Sequence, residues 1–129
     1  MRIPQDLLDE IVEHARADAP NECCGLIGAH DGVATSVHRT RNLKASPLAF
    51  EMDGMEVFRI IDAIEESGGE LAGMYHSHTR TEPRPSQTDR NFARNWPGLE
   101  WVIVGLAGPE PEVRSFLIGD DGVREVEVA

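Results

Sequence analysis

The chain has 129 residues, 40% of them hydrophobic, which is enough for a single domain over 1–129 with a buried core and argues against disorder. Twelve Lys and Arg against 23 Asp and Glu give a net charge of −11, which repels a phosphate backbone and excludes nucleic-acid binding as the main role. No apolar run is long enough to cross a membrane, and Asp9, Glu10 and Glu13 interrupt the N-terminal segment where a signal peptide would be apolar, so a cytoplasmic location is the default expectation.

Leu7, Leu8, Ile11, Val12 and Ala15 recur at helical spacing, predicting a first helix over 4–17 with Pro4 in its first turn and Pro20 beyond its end. The run ECCGLIGA, 22–29, reads as a buried strand, and Asp31-Gly32 signals a tight hairpin returning through VATSVHRT. Cys23 and Cys24 are adjacent and cannot close a stabilising loop, so they read as small buried hydrophobes. A loop, NLKASPLAF, leads into a short predicted strand near Phe50.

Asp53 starts a second helix, with Glu56 placed to complete a capping box, and Gly68-Gly69 ends it. ELAGMYHSH, 70–78, reads as a strand and 86–96 as a third helix. The strands EWVIVGLA and EVRSFLIG follow, then a turn at 119–122 and VREVEVA. Helices mixed with hairpins at both ends predict an α+β fold, a central sheet flanked by helices.

His76 and His78 are two residues apart, so on a strand both imidazoles point to one face and can reach one ion. Asp89, across a loop stiffened by Pro83 and Pro85, is the candidate third ligand, and a catalytic zinc site uses three protein ligands and keeps one position open. Ser86-x-x-Asp89 is equally what a helix N-terminus looks like, and a His-x-His pair alone is more often hydrogen-bonded or surface histidine. The joint spacing His-x-His-x7-Ser-x-x-Asp arises by chance in roughly one such chain in a thousand, which favours a metal site without excluding the cap.

These residues resemble the JAMM (MPN+) zinc metalloprotease family, whose motif places an upstream Glu before His-x-His-x7-Ser-x-x-Asp. PNECCGLIG resembles the family's Glu-bearing strand and supplies Glu22, while GMYHSH and RPSQTD resemble its metal-binding segment. The likeness covers most of the chain and is closest to the short, stand-alone bacterial members. Two departures are Thr79, where the family usually has Pro, and the Cys23-Cys24 pair.

The resemblance implies the MPN (cytidine-deaminase-like) fold with a mixed central sheet. It implies one Zn²⁺ per chain held by His76, His78 and Asp89, with Glu22 as proton shuttle and Ser86 as oxyanion donor. The implied substrate is an amide at the Gly-Gly tail of a ubiquitin-like or β-grasp sulfur-carrier protein, with release of an amino acid such as cysteine as one outcome. A homodimer stays open. Rival readings are a non-catalytic MPN-type interaction module, or a zinc hydrolase of a small-molecule amide. A Cys-x-x-Cys zinc deaminase is disfavoured because the chain has no such pair.

The other histidines, His14, His30 and His38, read as core or surface residues, and Trp96 and Trp101 as core or rim. Arg80, Arg84, Arg90 and Arg94 read as solvated.

Overall fold

A computed structural model of the chain describes residues 1–128. In chain order it has α1 (Gln5–Asp18), β1 (Cys24–His30), β2 (Val33–Thr40), α2 (Gly54–Glu66), β3 (Glu70–His78), α3 (Gln87–Ala93), β4 (Glu100–Gly105), β5 (Glu112–Gly119) and β6 (Gly122–Val126). The strands form one sheet ordered β2-β1-β3-β4-β5-β6. Every neighbouring pair is antiparallel except β3 and β4, which are parallel. Parallel strands need a crossover, and here the crossover carries α3.

Both faces of the sheet are covered, which is why β1, β3 and β4 are buried almost throughout. Ile11 and Ala15 of α1 pack with Cys23, Ile27, Tyr75, Val102 and Val104 on one face. Val57 of α2 and Ala93 of α3 pack with Cys24, Leu26, Met74, Trp101 and Ile103 on the other. Strand alternation therefore sends Tyr75 toward α1 and Met74 toward α2 and α3; His76, two residues beyond Met74, shares the second face.

The Asp31-Gly32 hairpin forms, and both residues have positive φ (49° and 80°), as the favoured two-residue turn requires. Gly25 answers a different need, because a Cβ there would lie 2.2 Å from the ring of Tyr75.

Three local expectations are corrected. The segment around Phe50 is not a strand but a loop, whose buried Phe50 ring packs against β3 residues through side-chain contacts, without a ladder. Glu56 does not complete a capping box: Asp53 accepts the Met55 amide, while the Glu56 carboxylate accepts the Arg41 amide at 3.2 Å. The third helix spans Gln87–Ala93 and stops short of residue 96, since Asn95 and Trp96 lie in turns after it.

Candidate metal centre

The site lies at the C-terminal end of β3. Because β1 runs antiparallel to β3 with Cys24 opposite His76, the chain just before β1 meets the end of β3. Main-chain bonding continues one step past the strand, from the Ser77 amide to the Cys23 carbonyl at 3.2 Å. The Ser77 hydroxyl accepts the Cys23 amide at 2.8 Å. The Thr79 hydroxyl then donates to the Pro20 carbonyl at 2.9 Å, so the residue standing in place of the usual Pro ties the two segments together. Glu22, just ahead of β1 rather than in it, is thereby set beside the histidines.

His76 Nε2 and His78 Nε2 are 3.3 Å apart, and each lies 3.1 Å from Asp89 Oδ2. A tetrahedral zinc with bonds of about 2.0–2.1 Å holds its ligand atoms about 3.3 Å apart, so this triangle of two imidazole nitrogens and one carboxylate oxygen fits such an ion. A Glu22 carboxylate oxygen and one ring nitrogen from each of His76 and His78 lie within 4.8 Å of one another, so Glu22 stands at the same site. All four side chains are buried, yet Glu22 Oε1 has no hydrogen-bond partner among the described residues.

The tautomer of His78 sharpens the electrostatics. Its Nδ1–H donates to the Glu82 carbonyl at 2.8 Å, since a carbonyl can only accept. In the neutral ring Nε2 then carries a lone pair that faces the Asp89 carboxylate. That is acceptor against acceptor, and it is relieved by a cation, either a proton or a metal ion, between them. Burial lowers the His78 pKa, but its hydrogen bonds to Asp89 and the Glu82 carbonyl, with the charges of Asp89 and Glu22, outweigh that and raise it. Burial opposes ionisation of Asp89. The facing His76 charge, the hydrogen bonds from both histidines and the Ser86 amide win, holding its carboxyl well below the usual range. Glu22 goes the other way: burial pushes it up to about 7, with His78 opposing and Asp89 assisting. Two carboxylates in one site thus have opposed preferences, one fixed as an anion and one poised to take a proton.

Ser86 and Asp89 form a complete capping box. Ser86 Oγ accepts the Asp89 amide at 3.1 Å, and Asp89 Oδ2 accepts the Ser86 amide at 2.9 Å. The cap uses Ser86 Oγ only as an acceptor, so its O–H remains free to donate.

Three contributors were missed in the sequence. Phe50 lies against the His76 ring, centroids 4.7 Å apart, and Asn42 holds the loop that carries it. Aromatic residues and asparagines in loops are too common to single out. The Glu82 carbonyl is main chain, which no residue type could announce. The two cysteines are buried free thiols, as expected. His14 is in the core, with Nδ1 2.7 Å from the Tyr75 hydroxyl; Trp101 is core and Trp96 packs at its rim. Arg80, Arg84, Arg90 and Arg94 are exposed. No helix among the described residues is long and apolar enough to cross a membrane.

A family profile described as prokaryotic homologs of the JAB domain matches residues 4–119. The chain is 35% identical to a protein named desampylase from Haloferax volcanii, over 100% of this chain and 95% of that protein. It is 34% identical to the CysO-cysteine peptidase of Mycobacterium tuberculosis, over 98% of this chain and 88% of that one. A solved structure from Desulfitobacterium hafniense superposes with a TM-score of 0.89 at 37% identity, covering 99% of this chain and 90% of that one.

Proposed function

This chain belongs to the family of prokaryotic JAB-domain homologues, a JAMM/MPN+ protein with the MPN fold, and on that premise we propose that it is a zinc-dependent peptidase. His76, His78 and Asp89 hold the ion, Glu22 shuttles the proton and Ser86 steadies the oxyanion. The substrate is an amide at the C-terminal Gly-Gly tail of a ubiquitin-like or sulfur-carrier protein. The observation that supports this most is the Nε2–Nε2–Oδ2 triangle, with sides of 3.3, 3.1 and 3.1 Å, beside a buried Glu22 whose Oε1 has no hydrogen-bond partner among the described residues.

When bound, zinc acts as a Lewis acid and makes water a usable nucleophile near neutral pH. Glu22 accepts a proton from the attacking water and returns it to the leaving nitrogen as the C–N bond breaks. Ser86 donates its free O–H to the developing oxyanion while its Oγ keeps the helix cap. The products are a carboxylate on the carrier tail and a free amine.

The relatives named desampylase and CysO-cysteine peptidase support a carrier-protein conjugate over a small-molecule amide. The non-catalytic module is the weaker reading, because such modules typically lack part of the donor set and this chain keeps all of it.

Zinc-loaded protein is to be incubated with small β-grasp carriers ending in Gly-Gly, extended either by a C-terminal cysteine or through an isopeptide to lysine, and followed by intact mass. Loss of the extension, abolished by chelator and restored by zinc, is the expected result. Intact substrates of both kinds beside a fully loaded enzyme would overturn the reading, and the extension removed names the leaving group.

A further inference from the structure

We infer that Asn42 is the positioning residue for Glu22, a role that rests on the reading of Glu22 as proton shuttle. Among the described residues the Glu22 carboxylate has no partner at Oε1, so no side-chain bond there fixes where it points. Its position is instead set by its own main chain, which is gripped at both ends by one loop. The Glu22 amide donates to the Ser46 carbonyl at 2.8 Å, and the Glu22 carbonyl accepts Asn42 Nδ2 at 3.0 Å.

Asn42 is saturated. Its Nδ2 also donates to the Ala49 carbonyl at 3.0 Å, and its Oδ1 accepts the amides of Lys44 at 3.0 Å and Glu51 at 3.1 Å. Two carbonyls on one side and two amides on the other allow one orientation of the side-chain amide. The Asn42 carbonyl adds a bond from the Ala45 amide at 3.1 Å, and Leu43 and Glu51 close the loop at 2.9 Å. One side chain therefore organises 42–51 and joins it to the main chain of Glu22.

This gives the loop a purpose that sequence composition does not reveal. A proton shuttle must stay within about a hydrogen-bond length of the atoms it serves, and a misplacement of about 1 Å costs on the order of 10²-fold in rate. The main chain of His76, His78 and Asp89 is held by β3 and the α3 cap rather than by the Asn42 loop, whose Phe50 ring lies against His76, so the zinc content of the variant reports whether the triangle survives.

The test is a double-mutant cycle on zinc-loaded protein, with a hydrolysable carrier conjugate as substrate. Asn42→Ala is expected to lower kcat about 100-fold while KM and the zinc content stay near wild type. In a Glu22→Gln background the same change is expected to add nothing, because the group it positions is already gone. Asn42→Asp keeps the two bonds that Oδ1 accepts and loses the two that Nδ2 donates, so it decides the matter if Asn42→Ala is recovered unfolded. Wild-type kcat in Asn42→Asp, or losses that multiply in the Glu22→Gln background, would overturn the inference. A wild-type enzyme that turns over with Glu22→Gln unaffected would instead count against the shuttle itself.

Discussion

His78 donates its Nδ1–H to the carbonyl of Glu82, four residues on and 2.8 Å away, so in the neutral ring its Nε2 lone pair faces Asp89. One main-chain carbonyl in a proline-braced loop thus sets the tautomer of a candidate metal ligand. An outer partner of this kind orients the ring and raises its basicity toward an ion.

Metal is the first consequence. Purified protein should carry about one zinc per chain, and His76→Ala with His78→Ala should abolish it. Because the ion binds only the assembled triangle, zinc should raise Tm and a chelator should lower it. Elemental analysis and thermal melts check both. An unchanged zinc content in the double variant would remove the site.

Glu22→Gln separates chemistry from stability. Zinc should be retained while hydrolysis falls by 10²-fold or more, since Gln cannot take the proton. In chelated protein the variant should also become more stable than wild type as the pH rises, because wild type loses stability there and Gln does not titrate. The folded Glu22 pKa of about 7 lies above its ordinary 4.5, so its contribution is fully present below 4.5 and is lost as pH rises through 7. Each unit of that shift corresponds to about 1.4 kcal/mol. Melting curves of both proteins should therefore agree near pH 4 and diverge by pH 8, with the variant higher; a constant offset would contradict the burial argument.

Ser86→Ala should lose on two fronts. The cap bond to the Asp89 amide disappears, costing about 1 kcal/mol of stability. The oxyanion donor disappears too, lowering kcat by roughly 10²-fold. Ser86→Asp, an equally good N-cap whose carboxylate has no hydrogen to donate, should restore Tm but not kcat. Recovery of both by Asp would assign Ser86 to the cap alone.

The thiols give an alkaline signature. Burial pushes Cys23 up to about 12 and Cys24 up to about 11, against an ordinary value of 9, while their hydrogen bonds to Ser77 and Thr40 oppose the shift. Raised folded values mean stability present below pH 9 and lost as the pH climbs through 11 and 12. Native protein at pH 8 should thus be inert to a disulfide reagent and titrate two thiols only after denaturation. Prompt labelling of the native form would show the strand start to be open.

Much of this was legible in the chain. Strand alternation put His76 and His78 on one face, Asp31-Gly32 announced its hairpin, and the periodic apolar faces of α1 and α2 announced their packing. These signals are local, because helix and strand periods act between residues a few positions apart. Phe50 escaped because an isolated apolar residue in a loop has no period. Glu56 escaped because two acceptors could serve nearby amides, and the chosen partner, Arg41, comes from another segment.

By itself the sequence determined the elements, the acidic surface, the buried thiols and the order Glu, His-x-His, Ser-x-x-Asp. Only the tertiary structure decided that Glu22 reaches a site more than fifty residues downstream. It does so because β1 pairs antiparallel to β3 in a register fixed by burial on both faces of the sheet, where a one-residue slip would turn every core side chain the wrong way. The tertiary structure also decided that Asp89 faces both histidines while serving as a helix cap, and that a loop asparagine grips the main chain of Glu22. Those relations depend on distances between segments remote in sequence, and hydrogen bonds of about 3 Å are specified only once the whole sheet is packed.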